Sequence, residues 1–132
     1  MPTLPGRTIS VSIDRPWAAV YAYASDPANL SHWAAGLGES FERAGDEWLF
    51  KDPGGRPVRL RFASSNPYGV LDHDVILPDR VVHVALRVMP NGDGAEVSFL
   101  LLRDPGIFDE DFERDAAAVT NDLASLKHRL ER

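Results

Sequence analysis

The segment Asp72-His73-Asp74 contains the side chains with the clearest potential for chemistry in this 132-residue sequence. A histidine between two carboxylates suggests a metal site or a general acid or base. However, the segment lies in an alternating pattern that predicts a β-strand, in which successive side chains point to opposite faces. The three side chains therefore cannot converge on one metal ion. We predict no metal site, and His73 alone remains a candidate catalytic residue.

The alternation also predicts which face of the strand carries His73. In the strand predicted over 70–77, Leu71, Val75 and Leu77 share one face with His73, and Asp72 and Asp74 lie on the other. His73 would then be a single ionisable side chain on an apolar wall. Two interpretations remain open. His73 acts on a ligand as an acid, a base or a hydrogen-bond donor to a carbonyl, or it is a core histidine bonded to a backbone carbonyl, water or tyrosine.

Charges on neighbouring strands predict how the strands pair. One register places Arg61 beside Asp72 and Arg59 beside Asp74 on the outer face, and it also matches the apolar residues on the inner face. The next hairpin then brings His83 opposite Asp74. We interpret these residues as a surface charge cluster rather than a catalytic pair.

Hydrophobic periodicity and turn residues divide the chain into one strand, two short helices, six strands and a long helix. Asp14 or Arg15 is the predicted N-cap of the first helix, and Asp26 that of the second, with Pro27 as its first residue. Short connections between the six strands indicate antiparallel neighbours. The predicted strands cover 7–14, 39–43, 46–51, 57–63, 70–77, 80–89 and 95–102, and the long helix covers 108–130.

The stretch 108–130 predicts an amphipathic helix roughly 34 Å long, at about 1.5 Å per residue. Its large apolar residues, from Phe108 to Leu130, recur at steps of three, four or seven. Acidic residues crowd its first turn and basic residues its end, which suits the helix dipole. Such a helix needs a broad apolar surface, which the predicted sheet supplies. The small residues Ala116–Ala118 either leave room for a cavity or reflect the high helix propensity of alanine.

Three segments resemble the START-like superfamily, also called SRPBCC: the strand end Ile13-Asp14-Arg15-Pro16, the pair Val20-Tyr21, and the stretch from Ser25 to Trp33. This superfamily includes polyketide cyclases/dehydrases, lipid-transfer domains and the birch-pollen-allergen group. The order of predicted elements is similar over essentially the whole chain. The resemblance implies one α+β domain over residues 1–132 with a helix-grip fold, in which a curved seven-stranded antiparallel sheet wraps the long C-terminal helix. It also implies two short helices between the first two strands and an internal cavity for an apolar small molecule.

The cavity would be lined by side chains of the sheet, the short helices and the long helix. Aromatic residues among them could clamp a flat ring or pack as ordinary core. The expected lining residues are Tyr23, Trp33, Trp48, Phe50, Leu60, Phe62, Leu71, His73, Val84, Leu86, Phe99, Phe112, Ala116, Val119 and Thr120.

Such a cavity favours reversible binding of a hydrophobic or aromatic small molecule, lipid- or polyketide-like. The superfamily shares no catalytic triad, so the resemblance alone implies no reaction. The alternative is a cofactor-free cyclase, dehydratase or aromatase, in which His73 is the acid or base and Tyr23, Trp33 or Trp48 orients the substrate. A third interpretation is a protein-interaction module with a filled core and no ligand.

Composition and charge disfavour several other classes of function. The net charge of −6 and the lack of a basic run argue against nucleic acid and anionic membranes as partners. There is no apolar run long enough for stable membrane insertion and no secretory signal pattern. A glycine-rich phosphate loop is also absent, so we expect no bound cofactor. The absence of cysteine excludes disulfides and thiol catalysis and favours the cytoplasm. The sequence does not decide the oligomeric state, and a homodimer is compatible with it.

Overall fold

The computed structural model describes residues 2–38 and 40–132. In chain order, its elements are β1 (Gly6–Ile13), α1 (Trp17–Ala24), α2 (Pro27–Trp33), β2 (Phe41–Ala44), β3 (Glu47–Lys51), β4 (Pro57–Phe62), β5 (His73–Ile76), β6 (Val81–Asn91), β7 (Gly94–Leu102) and α3 (Asp109–Glu131). In the described part of the chain, seven antiparallel strands form a curved sheet in the order β1-β7-β6-β5-β4-β3-β2. The predicted α+β helix-grip architecture is therefore confirmed, although the predicted strand start at Glu39 lies outside the described residues.

The long helix α3 packs against one face of the curved sheet. Its inward leucines are almost completely buried, with Leu123 2% exposed and Leu126 0% exposed. They belong to the same core as buried valines of β6 and β7. A polar contact joins β1 to the helix, because Lys127 Nζ donates a hydrogen bond to the Ser12 carbonyl at 2.6 Å. Phe108 was predicted to begin the apolar stripe but is 75% exposed, because it precedes the first helical turn as the N-cap.

The first helix begins differently from the prediction. Its N-cap is Pro16, which offers no side-chain hydrogen bond. The two predicted caps contact the end of α3 instead. The Asp14 N–H donates to the Glu131 carboxylate at 2.7 Å, and the Arg15 guanidinium donates to the Leu130 carbonyl at 3.1 Å. Unpaired carbonyls at a helix C-terminus attract a cation, which accounts for the position of Arg15.

The second helix begins as predicted. The Asp26 side chain accepts a hydrogen bond from the Ala28 N–H at 3.0 Å, and Pro27 is the first helical residue. Leu30 and Trp33 are 3% and 7% exposed and belong to the central core. The short helix α2 therefore places two large side chains in the space beside α3 and the sheet.

The predicted register of the central strands is correct for one pair and wrong for the other. Asp74 lies opposite His83 across β5 and β6, as predicted. Across β4 and β5, however, Arg61 lies opposite Asp74 and Arg59 lies opposite Ile76, which is a shift of two residues from the prediction.

The shift changes the ion pairs but not the faces of the sheet. Asp72 forms its ion pair with Arg87 of β6 at 2.8 Å, and Arg59 pairs with Glu47 of β3 at 2.6 Å. Because side chains alternate with a period of two, a two-residue shift leaves each side chain on its predicted face. His73 therefore keeps the inward direction that the sequence predicted.

Candidate functional site

An apolar cavity of about 230 Å³ lies between α3, the inner face of β4–β7, and the segment that runs from α2 into the following loop. Seven predicted lining residues surround it: Trp33, Leu60, Phe62, His73, Leu86, Phe99 and Val119. The remaining lining residues are Leu30, Ala34, Gly36, Leu37, Val58, Val75, Asp122 and Leu123.

The other predicted lining residues lie elsewhere. Those that line neighbouring depressions of the sheet, rather than this cavity, are Trp48, Leu71 and Val84. Those that belong to the hydrophobic interior, buried or partly buried, are Tyr23, Phe50, Phe112 and Ala116. Thr120 is exposed and donates a hydrogen bond to a helix carbonyl at 2.8 Å. Its predicted place in the cavity is wrong, because one residue beyond Val119 is a rotation of about 100° around the helix.

A local break in the sheet positions His73. The Leu71 N–H donates to the Leu86 carbonyl at 2.8 Å, but the Leu86 N–H donates to the Asp72 carboxylate at 3.0 Å instead of to Leu71. The Leu71 carbonyl is thereby free to accept a hydrogen bond from Nδ1 of His73 at 3.0 Å. The Asp72 carboxylate is held in turn by Arg87, at 2.8 and 2.9 Å. The histidine is thus anchored by the segment that directly precedes its strand.

This anchoring assigns the tautomer of His73. A carbonyl oxygen can only accept, so Nδ1 carries the proton in the neutral ring and Nε2 carries the lone pair. Burial lowers the pKa of His73, although the Leu71 hydrogen bond and the nearby aspartates oppose this effect. The Phe62 ring covers the imidazole with a centroid distance of 4.7 Å. At neutral pH, His73 is therefore a hydrogen-bond acceptor or a base, and the predicted role as donor to a ligand carbonyl does not suit this tautomer.

Trp33 contributes a donor without a partner. Its indole Nε1–H is buried and makes no hydrogen bond to residues 2–38 or 40–132. A buried polar group left unpaired costs about 1–3 kcal/mol. Trp33 lines the cavity, but Nε1 itself has almost no accessible surface, so an acceptor atom on a bound molecule would remove that cost only after a small shift of the indole.

Asp122 is a cavity residue that the sequence analysis did not identify. It lies on α3 between Val119 and Leu123, and all three line the cavity. Its carboxylate accepts a hydrogen bond from the Ala35 N–H at 3.2 Å, and burial raises the pKa of Asp122. Its spacing of three residues from Val119 was the available signal, because residues three apart lie on the same face of a helix.

Two further depressions adjoin the cavity. A polar pocket of about 400 Å³ shares Leu30 and Phe62 with it. A groove of about 540 Å³ lies mainly on the outer face of β4–β7. The charged groups in this groove already pair with one another, as Asp74 does with Arg61 at 2.8 Å and with His83. The predicted surface charge cluster around Asp74 is confirmed, with Arg61 in the place expected for Arg59, and the apolar cavity is the better candidate for a binding site.

Residues 7–131 match the family model described as polyketide cyclase / dehydrase and lipid transport. The chain belongs to this family. No curated protein matches the chain significantly. In the part of the chain that the structure describes, no His, Asp and Glu side chains group to hold a metal ion, and none of the helices is long and apolar enough to cross a membrane.

Several solved structures of this family's fold are similar to the chain. BexL, a di-domain ARO/CYC from the BE-7585A biosynthetic pathway, is 18% identical with a TM-score of 0.75, over 97% of this chain and 47% of BexL. DynU16, a protein of the dynemicin biosynthetic locus, is 15% identical with a TM-score of 0.74, over 96% of this chain and 47% of DynU16. Aha1 from Colwellia psychrerythraea, solved as a dimer, is 14% identical with a TM-score of 0.77, over 97% of both chains. At these identities the likeness concerns the fold.

Proposed function

We propose that this protein reversibly binds a small apolar or aromatic molecule in the cavity between α2, α3 and the sheet. The cavity itself carries the proposal, because about 230 Å³ of space with apolar walls lies beside a core that contains fully buried side chains. Native interiors otherwise contain few voids larger than a water molecule. A cavity of this kind, with a few polar groups on its walls, supports ligand binding over a filled interaction module.

The family description favours the same class of ligand. It combines polyketide chemistry with lipid transport, and BexL and DynU16 come from biosynthetic systems for natural products. Both parts of the description concern molecules with extensive apolar surface. The acidic chain, with a net charge of −6, also suits a small-molecule ligand better than a nucleic acid.

A cavity-filling substitution tests this proposal. Val119 lines the cavity, whereas its neighbour Thr120 is exposed, so Val119→Trp and Thr120→Trp form a matched pair. In calorimetric titrations with naphthalene, we expect stoichiometric binding to the wild type and to Thr120→Trp, and none to Val119→Trp. Circular dichroism establishes that each variant is folded, and Val75→Phe replaces Val119→Trp if the latter is not. If neither naphthalene nor its hydroxylated analogue 2-naphthol binds to the wild type, the proposal is refuted.

A second candidate function is cofactor-free cyclase, dehydratase or aromatase chemistry. Two opposite pKa shifts in one cavity favour it: burial lowers the pKa of His73 and raises that of Asp122. Titratable groups whose pKa values are perturbed by burial inside one cavity are candidates for catalytic residues. In this scheme, Nε2 of His73 takes a proton from the substrate and, once protonated, returns it at a later step.

His73→Phe distinguishes the binder from the enzyme. General acid–base catalysis contributes about 10²–10⁴-fold in rate, so an enzyme of this type should lose that much turnover. Native mass spectrometry of the purified protein identifies any co-purifying molecule, which then serves as the substrate. Because we favour binding, we expect no turnover by either protein. Repeated turnover by the wild type that disappears in His73→Phe would establish the second candidate instead.

Two proposals concern the protein as a whole. The cytoplasm is the compartment that we propose, because a sequence without cysteine has no need of an oxidising environment. Cell fractionation tests this.

A homodimer is the assembly to test by light scattering at several concentrations, and a constant monomeric mass would exclude it.

A further inference from the structure

We infer that the ligand is a neutral molecule of one or two rings with a hydroxyl group, which donates to Nε2 of His73, and with an acceptor atom for the Trp33 N–H. The inference rests on the proposed binding function and names its class of ligand. Size, hydrogen-bonding groups and charge each contribute to it.

The size of the cavity limits the ring count. An apolar cavity of about 150 Å³ accepts benzene. The cavity of about 230 Å³ is roughly half as large again, so a fused two-ring molecule fills it, whereas a long acyl chain or a four-ring skeleton would have to extend into the adjoining pockets. Its walls are almost entirely aliphatic and aromatic, as a flat ring system requires.

His73 supplies the acceptor in this cavity. Nδ1 is committed to the Leu71 carbonyl at 3.0 Å, so the remaining nitrogen of the neutral ring can only accept a hydrogen bond. Nε2 has no hydrogen-bond partner among residues 2–38 and 40–132, and, unlike Nε1 of Trp33, it retains accessible surface. The ligand group that satisfies it must donate, and a phenolic or enolic hydroxyl does so without introducing a charge.

Trp33 supplies the complementary donor. The residue is 7% exposed, and its Nε1–H is buried and unpaired among the described residues. An indole N–H can only donate, so a ligand that reaches it through a small shift of the indole must offer an acceptor. The hydroxyl oxygen itself or a carbonyl on the same ring system meets this requirement.

Asp122 determines the charge that the cavity tolerates. Its carboxylate lines the cavity and has one hydrogen bond, from the Ala35 N–H at 3.2 Å. A second carboxylate in the same apolar space would suffer like-charge repulsion and loss of hydration. The cavity should therefore reject fatty acids and aromatic acids, and the ligand is neutral.

Affinities for three matched probes test the inference: naphthalene, 2-naphthol and 2-naphthoate, measured by calorimetry at neutral pH. We expect the wild type to bind 2-naphthol about tenfold more tightly than naphthalene, the effect of roughly one or two hydrogen bonds. We expect 2-naphthoate to bind at least tenfold more weakly than 2-naphthol. Palmitate, the long-chain probe, should not bind.

The variants assign these preferences to residues. His73→Phe and Trp33→Phe should each reduce the preference for 2-naphthol over naphthalene while retaining naphthalene binding. The matched controls are His32→Phe, at an exposed position, and Trp17→Phe, outside the cavity, and both should leave the preference unchanged. Asp122→Asn retains an acceptor for Ala35 and should raise the affinity for 2-naphthoate relative to 2-naphthol.

The outcomes separate this inference from the proposed function. Equal binding of naphthalene and 2-naphthol, or a preference that survives both His73→Phe and Trp33→Phe, would overturn the ligand class and leave the cavity as a binding site. Tight binding of 2-naphthoate or palmitate by the wild type would overturn the neutral, small-ring assignment. If neither naphthalene nor 2-naphthol binds, the proposed function fails as well.

Discussion

At the level of single residues, one backbone hydrogen bond between neighbouring strands is missing beside His73, and two side chains take its place. The Leu71 carbonyl does not accept the hydrogen bond expected from the Leu86 N–H. It accepts one from the His73 ring instead, and the Asp72 carboxylate accepts the one from the Leu86 N–H. Each buried backbone group thus keeps a partner. The chemistry of the cavity wall follows from this exchange, because it places the proton of the neutral imidazole on Nδ1 and leaves the lone pair on Nε2.

Asp72→Ala tests this exchange. The substitution leaves the Leu86 N–H without its acceptor and should reduce the free energy of unfolding by about 1–3 kcal/mol. Asp72→Asn retains an oxygen acceptor and should cost about 1 kcal/mol or less, as expected for the loss of a partly exposed ion pair with Arg87. Urea denaturation measures both, and nitrogen chemical shifts of His73 report its tautomer. Equal losses for the two variants would show that the carboxylate does not support the ladder.

At the scale of the elements, α3 combines two roles that its sequence does not separate. Its leucines form the core, and one flank of the same face lines the cavity through Val119 and Asp122. Of the three central alanines, only Ala116 is buried, whereas Ala117 and Ala118 are exposed. Helix propensity therefore explains the exposed pair better than a requirement for space.

Leu123→Ala should destabilise the protein by about 2–5 kcal/mol, because Leu123 is 2% exposed and the truncation leaves a cavity that the packed sheet cannot fill. Leu100→Ala on the outer face is the matched control, since Leu100 is 37% exposed, and we expect a clearly smaller loss. Chemical denaturation measures both. A loss below about half a kcal/mol for Leu123→Ala would mean that α3 does not form the core.

The contact between α3 and the loop after α2 predicts a pH dependence. Burial raises the pKa of Asp122 above its ordinary value of 3.8, so the folded state holds this proton more tightly than the unfolded state. The protonated Asp122 side chain therefore stabilises the fold fully at pH values below the pKa of Asp122 in the unfolded state. This stabilisation is lost as the pH rises through the pKa of Asp122 in the folded state. Asp122→Asn removes this dependence and keeps an acceptor for the Ala35 N–H. Relative to the wild type, the variant should therefore gain stability between pH 3 and pH 7, measured by denaturation at each pH.

At the scale of the whole molecule, the cavity connects ligand binding to stability. A ligand that binds only the folded protein adds about 2.7 kcal/mol to the free energy of unfolding at one hundred times its Kd. Naphthalene should therefore raise the Tm of the wild type and of Thr120→Trp, in proportion to the logarithm of its concentration. Val119→Trp should show no increase. An equal increase in all three proteins would indicate binding outside the cavity.

The amino-acid sequence by itself determined the elements and the faces of their side chains. Alternation in strands and the helical repeat of α3 are local properties, so the inward direction of His73 survived a register error of two residues. The order of the elements and the short turns between the strands indicated antiparallel neighbours and a long helix packed on the sheet, and the resemblance to the START-like superfamily implied the helix-grip architecture.

Tertiary structure alone decided what the inward side chains meet. The tautomer of His73 depends on a broken ladder between β5 and β6, and the unpaired N–H of Trp33 depends on how α2 packs against the cavity. The position of Asp122 in the cavity depends on a contact with Ala35, which is 87 residues distant in sequence. Periodicity within one element cannot predict such contacts, because they arise where separate elements meet and each polar group must find a partner in the space that remains.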